Sequence, residues 1–289
     1  MSNEIKEISI EDRDYPKLLK KIKDPPKILY CLGSLPRADL KGFAVVGTRR
    51  CSTYGKQAAS EIAADLADAG LTIVSGFAKG IDTCAHQAVI ERGKRTIAIL
   101  GTGLDEKSIY PKSNLKLINK VLETEGCLIS EYPPGTHGSE FTFPKRNRLI
   151  SGISLGVLVV EAKRKSGALI TANYAFSQNR EVFAIPGSIY SSNSKGTHYL
   201  IKKGAKLVEN ANDILKELKL PFVEKTKKFE GETSEENLIL KTLKEESLHI
   251  DKIIEKTKLS ASSVASTLAI LEIKNKIKNL GGSVYAISR

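Results

Sequence analysis

The chain has 289 residues, 41% of them hydrophobic and 27% charged, with a formal net charge of +12. That is enough apolar material for one large domain and a small companion, and the charge favours a polyanionic partner such as nucleic acid over an acidic one. The charged N-terminus MSNEIKEISIEDRDYPKLLKK has no apolar signal core and no stretch approaches the roughly 18 apolar residues of a bilayer span, so a cytoplasmic protein without membrane insertion is expected.

In chain order, residues 1–40 form a lead-in in which RDYPKLLKKIKDPPKILYCLGSLP places Leu18, Leu19, Ile22 and Ile28 against a core. From Phe43 onward six short runs, FAVVG, LTIVSG, TIAILG, CLISE, GVLVVEA and EVFAIPG, alternate with helical patterns. The runs are apolar throughout, as strands covered on both faces are. The pattern predicts an α/β fold with a parallel, doubly wound sheet over 41–218. The first helix has Thr53 as N-cap, Ile62, Leu66 and Ala69 at helical spacing, and Gly70 as its stop. Similar stops recur at Gly93 and Gly126.

After Leu218 the charged stretch KLPFVEKTKKFEGETSEEN suits a linker over 219–233. Residues 234–289 then carry three amphipathic stretches, holding Leu238 and Leu243, then Ile250, Ile253 and Ile254, then Val264, Leu268 and Leu271. With Ser260 as N-cap of the third stretch and GGSVYAIS as a returning strand, this predicts a small winged-helix domain. Its third helix offers Ser262, Ser263, Ser266 and Thr267, with Lys274, Lys276 and Lys278 only at its end. A DNA-groove role, a protein contact and a purely structural role all remain open for it.

Ligands of doubly wound sheets sit beyond the carboxyl ends of the strands. There the chain offers GTRRCSTYG, SGFAKGID, GTGLDEKSIYPK, EYPPGTHGSEFTFPKRN and EAKRKSGALIT, a supply of open backbone N–H groups, hydroxyls and cations that suits phosphate. The dinucleotide spacing G-x-G-x-x-G is absent, Ser75-Gly76 stands where a ribose-binding acid would close the second strand, and no P-loop occurs. Cys31, Cys51, Cys84 and Cys127 are widely spaced, which points to reduced thiols and no metal. His86, four residues after the cap candidate Asp82, has a structural reading, and Asp105 and Glu131 have structural roles at loop ends. No nucleophile with a base stands out.

FPKRNRLISG, residues 143–152, is the sharpest local signal. Cations at a helix start are disfavoured unless an anion is present, and an aromatic beside cations is the pairing that binds single-stranded nucleic acid. Phe143 can instead be a core or staple residue, and Arg146 or Arg148 can pair internally with Glu131 or Glu161.

Together VVGTRRCSTYG, IVSGFAKGIDTCAH, TIAILGTGLD, IYPKSN, LISEYPPG, FPKRNRLISG, VVEAKRKSGALITANYA, REVFAIPG and KGTHYLIKKGAKLV resemble the ordered motif series of the DprA/Smf family of DNA-processing proteins, from about Tyr15 to Leu218. The resemblance implies an extended Rossmann-like domain and a non-enzymatic protein without cofactor. Such a protein binds incoming single-stranded DNA, protects it and loads the RecA recombinase during natural transformation, as a homodimer through the Rossmann-like domain. Carried over by motif, Gly47, Thr48, Arg49 and Ser52 form a first phosphate loop and Gly76, Ala78 and Gly80 line a second. Lys112, Phe143, Lys145, Arg146, Asn147 and Arg148 complete the groove, faced by Ser166, Gly167 and Thr171. The competing classes are a nucleotide-processing enzyme of the related phosphoribohydrolase-like fold, whose glutamate is missing from SGALITANY, and a protein adaptor acting through the tail.

Overall fold

The structure, a computed structural model, describes residues 4–35, 41–222, 231–244, 246–274 and 276–287. The chain divides into two compact units, Met1–Val223 and Glu224–Arg289. Residues 223–230 of the expected linker and 36–40 of the lead-in lie outside the described residues.

The first unit begins with β1 (Ile5–Ser9), α1 (Lys17–Lys20), β2 (Ile28–Gly33), β3 (Gly42–Val46), α2 (Thr53–Asp68), β4 (Thr72–Ser75), α3 (Ile81–Glu91) and β5 (Thr96–Leu100). It continues with α4 (Leu115–Glu123), β6 (Cys127–Ser130), α5 (Thr142–Gly152), β7 (Ser154–Val159), α6 (Gly167–Ser177), β8 (Glu181–Ala184), α7 (Lys195–Lys202), β9 (Lys206–Leu207) and α8 (Ala211–Glu217). The strands form one sheet in the order β1-β2-β6-β5-β4-β3-β7-β8-β9. It is parallel from β6 to β9, while β2 joins β6 and β1 joins β2 antiparallel.

The strands bury both faces because their side chains alternate. Ala44, Val46, Val74, Ile97 and Val157 meet Leu149, Ile150 and Ile153 around α5, and Ala168 and Ala172 of α6. On the opposite face Phe43, Val45, Ile73, Leu158 and Phe183 meet Ile62 and Leu66 of α2, Ile81 and Val89 of α3, and Ile214 of α8.

The lead-in departs from expectation. Leu19 and Ile22 are buried, but Ile28 is 41% exposed, and Leu29 and Cys31 point inward in its place. The lead-in also forms β1 and β2, an antiparallel pair at one side of the sheet, which the sequence did not lead one to expect. At the first helix the N-cap is Ser52, not Thr53, with its hydroxyl accepting from Gly55 N–H at 3.0 Å. Gly70 and Gly93 stop their helices at φ +86° and +62°. At the third stop Glu125 takes the left-handed conformation, and Gly126 is needed because a Cβ there would strike the carbonyls of Thr96 and Val121.

The second unit holds α9 (Ser234–Leu243), β10 (Leu248–His249), α10 (Ile250–Thr257), α11 (Ala261–Ile273), β11 (Ile277–Asn279) and β12 (Val284–Ile287). Its sheet runs β10-β12-β11, both pairings antiparallel. Ser260 caps α11 by accepting from Ser263 N–H at 3.1 Å. Ile239, Leu243, Ile253, Val264, Leu268 and Leu271 close a core of its own, giving a helix-turn-helix with a β11–β12 wing. No helix among the described residues is long and apolar enough to cross a membrane.

Phe43 is fully buried with its ring 5.7 Å from that of Phe183. Phe43→Ala is expected to lower the unfolding free energy by about 3–5 kcal/mol in urea titrations.

Candidate functional site

The chain builds β4, β5 and β6 to one side of β3 and then returns to lay β7, β8 and β9 on the other. Beyond Thr48 and Glu161, which are still bonded to each other, the β3 and β7 loops lead to α2 and α6 on opposite faces of the sheet, and a crevice opens beyond the strand ends. A cavity of about 410 Å³ lies there. Gly47, Thr48, Arg49 and Arg50 line it from the β3 loop, with Ala78 and Asp82 from the β4 side. Phe143, Arg146 and Asn147 come from α5, and Lys163, Lys165, Ser166, Gly167 and Thr171 from the β7 loop and α6. A smaller recess of about 30 Å³ shares Arg49, Ala78, Phe143 and Arg146 and adds Gly76, Lys79, Tyr110 and Pro111.

The loops are tied from behind. Thr48 N–H donates to the Glu161 carbonyl at 2.8 Å, and Ile81 N–H donates to the Thr48 carbonyl at 3.3 Å. Gly80, at φ +82°, lies where a Cβ would run into the backbone of Thr48 and Arg49, so the two loops cross in contact. The Glu161 carboxylate accepts from Ser52 N–H at 2.9 Å, from the Ser52 hydroxyl at 2.6 Å and from the Asn193 amide at 3.3 Å. The Asp82 carboxylate accepts from Gly76 N–H at 3.1 Å and Ala78 N–H at 3.3 Å.

Arg146 is buried at the cavity floor, where it donates to the Gly76 carbonyl at 2.8 Å, to the Ile99 carbonyl, and to Asn147 Oδ1 at 3.2 Å. Burial lowers the Arg146 pKa to about 10, and burial raises that of Asp82 to about 6 against the pull of Arg146 and the two N–H donors. Desolvation thus outweighs their mutual attraction at both groups. A Cβ on Gly76 would lie 2.7 Å from Asp82 Oδ2 and 3.1 Å from Arg146 Nη2, so only glycine fits between them. Phe143 is half-buried, with the Arg49 guanidinium 5.8 Å from its ring centroid and the Tyr110 ring 5.8 Å away on a tilt of 51°.

Of the residues singled out from sequence, Gly47, Thr48, Arg49, Gly76, Ala78, Phe143, Arg146, Asn147, Ser166, Gly167 and Thr171 converge on these two cavities. Ser52 and Gly80 shape the loops from behind. Lys112 closes its own loop, donating to the carbonyls of Glu106 at 2.6 Å and Lys107 at 2.9 Å. Arg148 requires correction. Two positions along a helix is a turn of about 200°, so Arg148 cannot share the face of Arg146. It points to the far side of α5, 2.6 Å from Glu131 and 3.5 Å from Asp24, with its side chain 7% exposed. It is an internal strut, and Lys145, 3.7 Å from Glu131, leans on the same carboxylate.

Arg50, Lys163 and Lys165 were missed as individuals, although the runs GTRR and EAKRKSG contain them. The extended loop sends Lys163 and Lys165 to the cavity, while the Arg164 guanidinium sits 5.4 Å from the Tyr199 ring centroid. His86 is buried, bonded to the Thr96 hydroxyl at 2.7 Å, with its pKa lowered by burial to about 3, so it is neutral and structural. No group of His, Cys, Asp and Glu able to hold a metal ion occurs among the described residues.

A family model described as DNA recombination-mediator protein A matches residues 6–219, and one described as DprA winged helix domain matches 224–283. The DNA processing protein DprA of Streptococcus pneumoniae is 46% identical over 209 residues, covering 72% of this chain and 73% of that one. The X-ray structure of DprA from the same organism superposes with a TM-score of 0.69 at 43% identity, over 76% of each chain. DNA processing protein A of Helicobacter pylori, solved for its single-stranded DNA binding mode, superposes at 0.65 with 33% identity, over 75% of this chain and 98% of that one.

Removing Arg148 leaves the buried Glu131 carboxylate with only the exposed, more distant Lys145 as counter-charge. Arg148→Ala is expected to cost about 3–5 kcal/mol, and the exposed Lys145→Ala about 1 kcal/mol or less, by urea unfolding. Asp82 supplies a pH test. Between its ordinary 3.8 and about 6 the folded chain binds more protons at this site than the unfolded one, so stability falls as pH rises through that window. The stability of the parent relative to Asp82→Asn is expected to drop by up to about 3 kcal/mol from pH 4 to pH 7, read from unfolding curves at each pH.

Proposed function

The chain belongs to the DNA recombination-mediator protein A family, and on that premise we propose that it binds single-stranded DNA across the crevice beyond β3 and β7. The observation that carries this reading is the Arg49 guanidinium over the Phe143 ring at the mouth of a cavity whose other exposed cations are Arg50, Lys163 and Lys165. A base stacks on Phe143 while Arg49 turns to a neighbouring phosphate. The open backbone at Gly47, Thr48, Gly76 and Ala78 and the hydroxyls of Ser166 and Thr171 accept the rest of the sugar-phosphate chain. Arg146 and Asn147 form the floor, with Arg146 giving a positive potential while its own hydrogen bonds hold the wall. Backbone and stacking contacts carry little base information, so sequence preference is weak.

The protein holds DNA and does not transform it. In this reading it shields incoming strands and loads the RecA recombinase on them during natural transformation, acting in the cytoplasm as a homodimer through its first unit. The second unit invites a different role. Ala261, Ser262, Ala265, Ser266 and Ala269 are the exposed positions of α11 over its first turns, and Ile270 and Ile273 follow at 44% and 81% exposure, with the exposed Glu272 between them as the one charge near its end. An uncharged helix face is a poor reader of a DNA groove, which favours a protein contact there.

The test is fluorescence anisotropy of labelled oligo-dT over a salt series. Single strands are expected to bind far better than duplex, and a chain ending at Phe222 to retain the affinity. Arg49→Ala should weaken binding and flatten the salt slope by about 0.7 per lost phosphate contact, and Phe143→Ala should cost about 1–3 kcal/mol. An Arg49→Ala variant that binds like the parent, with binding lost on truncation, moves the site to the winged helix.

A further inference from the structure

We propose that Tyr110 is a second base platform beside Phe143, and that the tilt between the two rings makes this crevice a seat for unstacked strands and not for duplex. The inference deepens the DNA-binding reading and rests on it.

The larger cavity and the smaller recess meet at Arg49, Ala78, Phe143 and Arg146, which line both, and the aromatic residues on their walls are Phe143 and Tyr110. Phe143 is packed against two glycines. A Cβ on Gly138 would lie 2.4 Å from its Cζ, and one on Gly101 would lie 2.9 Å from its Cδ1. Tyr110 stands further out, 52% exposed, yet the loop that carries it is braced. Ile109 beside it is buried, Ser108 donates to the Asp105 carboxylate through its N–H at 3.1 Å and its hydroxyl at 2.9 Å, and the Asn114 amide donates to the Phe77 carbonyl at 3.0 Å and the Thr83 hydroxyl at 2.9 Å. An aromatic ring held half in water by a fixed loop is preorganised contact area that the fold itself does not use. Cations flank it. Lys79 and Arg49 line the recess with Tyr110, and Lys112, two residues on, donates only to the carbonyls of Glu106 and Lys107, which leave its charge uncancelled.

The angle between the rings selects the ligand. A base stacked on an aromatic side chain lies parallel to it, so bases seated on Phe143 and Tyr110 are inclined to each other by the 51° that separates the rings. Successive bases of a duplex are parallel and about 3.4 Å apart. Only a strand that unstacks reaches both platforms. The other way out of the crevice passes the β8 loop, where the Asn193 amide donates to the Arg50 carbonyl at 3.1 Å and Tyr190 is 92% exposed. Tyr190 lines neither cavity, which makes it the comparator.

The experiment titrates the full-length parent, Tyr110→Ala, Tyr110→Leu, Tyr110→Phe, Phe143→Ala and Tyr190→Ala by fluorescence anisotropy against labelled oligo-dT, an abasic oligomer of the same length, and a duplex. Loss of the ring in Tyr110→Ala and Tyr110→Leu is expected to weaken oligo-dT binding about 5- to 150-fold, with the salt slope and the binding of the abasic strand and the duplex unchanged. Tyr110→Phe and Tyr190→Ala are expected to match the parent. An equal loss on the abasic strand, or a Tyr110→Leu that binds oligo-dT as tightly as Tyr110→Phe, overturns the proposal in favour of a packing role. A base-dependent loss in Tyr190→Ala with none in Tyr110→Ala overturns it by sending the strand out past β8. Parent-level binding by Tyr110→Ala beside a weakened Phe143→Ala overturns the second platform alone, whereas parent-level binding by both removes the crevice reading as well.

Discussion

Parallel pairing of β3 with β7 is the constraint from which the rest of the molecule follows. Because the chain comes back to its first parallel strand from the other side, the segments beyond Thr48 and Glu161 lead to helices on opposite sheet faces, and four segments face one crevice. The apolar runs that make this pairing are also what bury both sheet faces. The position of the site is therefore fixed by packing, before any charged residue contributes.

Charge in this crevice is sorted by depth. Arg146, Asp82 and Glu161 are buried, and each is engaged with the backbone or a cap, so hydrogen bonds offset part of their cost of burial. Arg49, Arg50, Lys163 and Lys165 are exposed. The inner set holds the loops in place, and the outer set is left to meet solvent anions. Arg148 belongs to neither, since its charge is matched by Glu131 on the far side of α5.

The parallel core and the winged helix were legible because both rest on patterns that a linear reading sees: apolar runs, helical spacing, and Ser260 or Gly70 at helix ends. The edge strands β1 and β2 were not. IKEIS mixes charge with isoleucine, and ILYCLG follows a Pro-Pro break that reads as connection. The candidate site was legible as a set of strand ends but not in its orientations. FPKRNRLISG shows three cations, yet helical geometry sends one to the floor of the crevice and two towards Glu131. The same limit hid Lys163 and Lys165 beside Arg164, where alternation and not composition decides which side each takes.

The crossing at Gly80 has a consequence for how any ligand is received. The Thr48 peptide is bonded on both sides, to Glu161 and Ile81, and the next loop leans on it without a side chain between. The two loops behave as one rigid plate. The conformational entropy of ordering them was lost when the chain folded, so any ligand that settles on this surface meets a preorganised partner and keeps more of its contact energy as affinity.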